Sequence, residues 1–88
     1  MNNSICNMMD LSTSHIPSES PDWGDDIRVI DHDFGWIIFI FNLSDDELSG
    51  TVPEWLRPIW IEAVREDCIL INFDRDSDTD PKFRIWHW

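Results

Sequence analysis

The run from Trp36 to Leu43, WIIFIFNL, is apolar and aromatic almost without interruption, and it does most to limit what this chain can become. A strand that is apolar on both sides must be covered on both faces or lie in the middle of a sheet, so the run predicts a central strand. The residues before it support that placement. Ile27 to His32 alternates weakly, with Ile27, Val29 and Asp31 on one side and Arg28, Ile30 and His32 on the other, and Asp33-Phe34-Gly35 reads as a turn. Together these stretches predict a hairpin.

Beyond the hairpin, Ser44-Asp45-Asp46-Glu47 breaks the apolar pattern. Thr51-Val52-Pro53-Glu54 has capping-box form, a hydroxyl followed three residues later by a carboxylate. Leu56, Ile59, Trp60, Ala63 and Val64 then fall at i, i+3, i+4, i+7 and i+8, which predicts one helix with an apolar stripe against the sheet. Pro58 inside that stripe would remove a hydrogen bond and clash with the preceding turn, so the helix proper is expected to begin near Arg57, after an entry turn. Ile69 to Phe73 is a short apolar run rich in β-formers, and Phe83, Ile85 and His87 alternate with Arg84, Trp86 and Trp88. The expected order is β-β-α-β-β: an α+β fold with a mainly antiparallel sheet of about four strands and one helix packed on one face. Residues 1–26 are rich in Asn, Ser, Pro and Asp without periodicity and read as an amino-terminal loop or arm, pinned by Leu11 and Ile16; residues 27–88 read as the single domain. One helix cannot cover both faces of such a sheet, so the arm or a partner must take the other.

With 88 residues the core is modest, and six Trp and five Phe must supply much of it. Trp36 and Trp60 lie on apolar faces and belong to that core. Trp23, Trp55 and Trp88 sit at element ends or among polar residues and are candidate interface anchors. The longest apolar run is far short of the roughly 20 residues a spanning helix needs, and no secretory signal is visible, so Cys6 and Cys68 are expected as reduced thiols in a cytoplasm.

Eighteen Asp and Glu against six Lys and Arg give a formal charge of -12, which disfavours nucleic acid, acidic lipid and anionic substrates and favours a basic partner. The acids are patterned. Asp74, Asp76, Asp78 and Asp80 recur at every second position between the last two expected strands. An EF-hand-like calcium loop would need Gly where Thr79 stands and a bidentate Glu where Ile85 stands. In an extended chain these carboxylates would lie on one side about 6.6 Å apart, a spacing suited to cationic sites evolved for a phosphate backbone. Asp31, Asp33, Asp45, Asp46 and Glu47 would have to share a face with them to widen such a surface. No zinc spacing joins the histidines and cysteines, and no Ser or Cys is paired with a recognisable oxyanion turn, so no catalytic residues, metal or cofactor are assigned.

Leu11-Ser12-Thr13-Ser14-His15-Ile16-Pro17, Gly35-Trp36, Pro53-Glu54-x-Leu56-Arg57, Cys68, Phe73-Asp74-Arg75-Asp76 and the closing Trp88 together resemble a family of small uncharacterised bacterial, phage and plasmid-borne domains. That resemblance implies an α+β fold in a bacterial cytoplasmic setting and no catalytic residues. By size and charge the chain is also similar to phage anti-CRISPR and anti-restriction proteins. The expected function is therefore a non-enzymatic inhibitor that blocks a basic nucleic-acid-binding site of a host CRISPR effector or other defence protein by DNA mimicry. The alternatives are an antitoxin or immunity-type binding module, or a calcium-responsive acidic domain. A second copy of the chain is a further candidate partner.

Overall fold

The computed structural model describes residues 7–19 and 21–87. It is an α+β fold built on one four-stranded mixed sheet with two α-helices. In chain order, β1 is Met8–Leu11, a short 3-10 turn is Thr13–His15, β2 is Val29–His32, β3 is Gly35–Phe39, α1 is Asp45–Thr51, α2 is Arg57–Arg65 and β4 is Leu70–Asp74. The order across the sheet is β1-β4-β3-β2. β2–β3 and β3–β4 are antiparallel, whereas β1 lies parallel to β4.

The expected hairpin is present, with Val29 opposite Ile38 and His32 opposite Gly35 around the turn at Asp33 and Phe34. β3 is an inner strand, though it stops at Phe39, well before Leu43. The fourth strand comes from an unexpected place. Residues 83–87 form no strand; Met8–Leu11 fills the position beside β4 instead, with Met9 opposite Ile71 and Leu11 opposite Phe73. The arm thus extends the sheet, and Ile16 and Ile27 beyond it are buried.

The core lies between one face of the sheet and α2. Leu11, Ile38, Ile71 and Phe73 meet Leu56, Ile59, Trp60 and Ala63, all at most 2% exposed. A buried side chain of this size contributes about 1.5–3 kcal/mol relative to leaving it in water, so these positions carry the packing. Val64, also expected on the stripe, is exposed.

Two helices occupy the stretch expected to hold one. Ser44 caps α1: its hydroxyl accepts from the Glu47 amide at 3.2 Å, and the Glu47 carboxylate accepts from the Ser44 amide at 3.0 Å. Those bonds hold the Glu47 carboxyl below its ordinary range. The capping box therefore belongs to Ser44 and Glu47, and Thr51 is the last residue of α1 rather than a cap. Arg57 ties the helices together, donating from Nε to the Val52 carbonyl and from Nη2 to the Ser49 carbonyl, both at 2.9 Å. α2 begins at Arg57, so Pro58 lies in its first turn, where a missing amide costs nothing.

His15 takes over the role a carboxy-terminal strand would have had. It is 1% exposed. Its Nδ1 donates to the Arg84 carbonyl at 2.8 Å, its Nε2 accepts from the Asp80 amide at 2.9 Å, and the Phe83 ring meets it edge-on at 5.8 Å. The Trp86 amide donates to the Ser14 carbonyl at 2.7 Å. Lys82 reaches α2, bonding the Glu62 carboxylate at 3.2 Å, and that hydrogen bond raises its pKa. His15→Ala would leave the part-buried Asp80 amide and Arg84 carbonyl without their partner, each worth about 1–3 kcal/mol. Denaturant unfolding should register a loss of about 3 kcal/mol, and hydrogen exchange should show the Asp80 amide deprotected while the β2–β3 amides stay protected.

Candidate functional site

One end of the sheet gathers what the sequence had left scattered. Gly35 is opposite both His32 and Asp74, so the turn between β2 and β3 lies beside the turn that leaves β4. The Arg75 amide donates to the Phe34 carbonyl at 2.9 Å and joins the two turns. A cavity of about 540 Å³ opens there, lined by Thr13, Asp31, His32, Asp33, Phe34, Gly35, Trp36 and Arg75, a size within the usual range for ligand pockets.

Gly35 is required at this junction. A Cβ there would lie 1.8 Å from the Phe73 carbonyl oxygen, so only glycine lets β3 approach β4 this closely. The absent side chain also opens a path across β3. His32 Nε2 reaches past that strand to Asn72 Oδ1 on β4 at 2.9 Å, and Asn72 Nδ2 donates to Asp10 Oδ1 on β1 at 3.0 Å. His32 Nδ1 accepts from the Phe34 amide at 3.2 Å, which makes Nε2 the protonated nitrogen. A chain of polar side chains therefore runs over three strands and fixes the hairpin turn at its end. Both imidazole nitrogens are engaged, which leaves His32 no lone pair for base catalysis.

Of the sequence-derived acids, Asp31 and Asp33 line this cavity, and Asp74 and Asp76 stand in the adjoining turn. Asp78 follows them and is exposed. Asp45, Asp46 and Glu47 form the first turn of α1, which the chain reaches from the opposite end of β3. The four-aspartate ladder is not extended: turns occupy residues 75–76 and 81–82, so the regular spacing of about 6.6 Å expected of a strand is lost. The reason is local. Asp74 Oδ1 accepts from the Asp76 amide at 2.8 Å and Asp80 Oδ1 from the Lys82 amide at 2.9 Å, and aspartates that bond the backbone two residues on make turns. Among the described residues no group of three or more His, Cys, Asp or Glu is placed to hold a metal ion.

Two of the candidate aromatic anchors also pack against the core. Trp23 and Trp55 are half-buried against the core, 5.2 Å apart, and Trp23 lies 5.9 Å from Trp36 and 6.0 Å from Phe73. Trp55 Nε1 donates to the Asp22 carbonyl at 3.0 Å. Trp23 thereby backs Trp36, which lines the cavity, while Trp55 lines a separate cavity beside His15 and Phe83. Trp88 and Cys6 lie outside the described residues. The exposed aromatic at this end is Phe34, at the hairpin tip, with the Arg75 guanidinium 5.1 Å from its ring centre. Cys68 is a free thiol that lines a different cavity, before the start of β4; burial, then the charges of Glu66 and Asp67, push its pKa up, which makes it a poor nucleophile.

Residues 8–88 match the carboxy-terminal domain of DUF5983, a family of unknown function. The chain belongs to that family. No curated protein and no solved structure matches the DUF5983 chain. No helix among its described residues is long and apolar enough to cross a membrane.

Sequence reasoning did not find Asn72, Asp10, Phe34 and Arg75. The pairing of Asn72 with His32 spans 40 residues and has no local signal, whereas a phenylalanine in a two-residue turn was a visible anomaly. The two buried or half-buried imidazoles should be opposite tautomers: long-range 15N–1H NMR is expected to show His32 protonated at Nε2 and His15 at Nδ1. Asn72→Ala should leave both preferences in place, because the Phe34 amide still donates to His32 Nδ1.

Proposed function

We propose that this DUF5983 domain is a non-enzymatic, acidic protein-binding module that docks the hairpin end of its sheet on a cationic protein surface. The observation that carries this reading is that Asp31 and Asp33 line the cavity at the end of the sheet where the chain leaves β4 through Asp74 and Asp76, the two segments being joined by the Arg75–Phe34 backbone bond. A formal charge of -12 repels nucleic acid and steers the chain toward basic sites. The strongly cationic surfaces of a cell are largely those that bind phosphate backbones. A nucleic-acid-binding site of a host defence protein, such as a CRISPR effector or restriction enzyme, is therefore the partner class favoured, and the outcome of docking is inhibition by competition with DNA. The mimicry rests on a cluster of carboxylates across two turns instead of a periodic row.

The test is displacement of labelled DNA from a panel of such effectors, followed by fluorescence anisotropy at low and high ionic strength. Competitive displacement is expected at low salt and should fade steeply as salt rises, because exposed charges are screened beyond about 8 Å at physiological ionic strength. The Asp31→Asn, Asp33→Asn, Asp76→Asn variant should need about tenfold more protein, a loss of about 1.4 kcal/mol spread over three charges. Displacement that ignores salt, or that the triple variant performs equally well, would contradict the reading.

A further inference from the structure

The cavity at the hairpin end holds more than acids. Its wall combines two carboxylates, two aromatic rings and one guanidinium, contributed by Asp31, Asp33, Phe34, Trp36 and Arg75. Arg75 stands over the Phe34 ring at 5.1 Å, so the site already shows which group its aromatic wall accepts. Among the described residues neither Asp31 nor Asp33 is ion-paired with a basic side chain, so the carboxylates beside that ring are left unneutralised. Phe34 is 45% exposed, an apolar surface at a hairpin tip where a polar residue would be ordinary. A planar cation that can stack on an aromatic face and accept two carboxylates through its fork of N–H donors satisfies every one of these groups. A lysine ammonium can do only part of this, since it lacks the flat face and the fork.

We infer that the cavity is a socket for an arginine side chain of the partner, bound between the Phe34 and Trp36 rings with its guanidinium on Asp31 and Asp33, and that Arg75 is the chain's own competitor for the Phe34 face. This deepens the docking reading above and rests on it. Arg75 is anchored by its backbone to Phe34, but its side chain is exposed and is free to swing away when a partner arginine arrives. The competition gives the socket selectivity: a weakly placed cation cannot displace a tethered one, whereas a partner that supplies both stacking and carboxylate contacts can.

The experiment titrates N-acetyl-arginine amide into the 15N-labelled full chain, with the uncharged N-acetyl-citrulline amide and inorganic phosphate as parallel probes. Saturable shifts are expected at Asp31 to Trp36, at Arg75 and at the Trp36 indole with the arginine probe only. Asp31→Asn with Asp33→Asn should weaken binding about fivefold, and Phe34→Leu, which keeps an apolar side chain but removes the ring face, about threefold. Arg75→Gln should tighten it about threefold, by removing both the like charge and the occupant of the ring; a structural role for Arg75 would instead weaken binding, and an unaltered spectrum elsewhere certifies the fold. Equal response to citrulline, phosphate as the saturating ligand, or weaker binding by Arg75→Gln overturns the socket. If effectors lose their DNA to the chain while the arginine probe leaves the cavity untouched, the docking reading stands and the socket falls. If the probe fills the cavity but no DNA is displaced, the reverse holds.

Discussion

The Phe73 carbonyl sits where any side chain at position 35 would go, and the hairpin end of the molecule depends on that close approach. It brings β3 against β4, sets Gly35 opposite Asp74, and so places the β2–β3 turn beside the turn after β4. The two acidic segments come to the same end of the sheet, Arg75 lies over Phe34, and His32 can reach Asn72 across a strand that carries no side chain at the crossing. Phe73 itself is fully buried between β1 and β3, with Leu11 and Trp36 opposite it, so the core and the site share one residue.

His15 and Arg57 do for the rest of the chain what strand pairing does for the sheet. Each is a polar side chain that binds two backbone groups, His15 fixing the distant carboxy-terminal stretch and Arg57 fixing the end of the neighbouring α1. A chain of this size cannot bury every connection in an apolar core, and buried backbone groups must still find partners. Satisfying them with single side chains is an economical solution, and it explains how residues 80–86 are held without being a strand.

The parts of the fold that were legible in the sequence are those with local patterns. The hairpin was visible in the alternation of Ile27 to His32 and the run after Gly35; α2 was visible in the spacing of Leu56, Ile59, Trp60 and Ala63; β4 was visible in its apolar run. β1 was hidden because Met-Met-Asp-Leu is too short for a period, and its pairing with β4 spans some 60 residues. The alternation of Phe83 to His87 suggested a strand, but the stretch is held at single points by His15 and Ser14, and its half-buried side chains, Phe83 and Trp86, lie three apart. The aspartate ladder misled for a chemical reason: period-2 acids suit an extended strand, but aspartate prefers to accept bonds from its own backbone and curls the chain. Gathering of acids on one face was legible only as a condition; Asp31 and Asp33 line one cavity and Asp74 and Asp76 leave β4 at the same end of the sheet, while α1 carries Asp45, Asp46 and Glu47.

The central claim, that the hairpin end is the docking surface, is tested most directly by hydrogen–deuterium exchange of the chain alone and saturated with a cationic nucleic-acid-binding protein. Protection gained over residues 29–36 and 74–78 is the expected result. Protection confined instead to the opposite end of the sheet, where Phe41, Val64 and Ile69 are exposed around a second, smaller cavity of about 230 Å³, would contradict it.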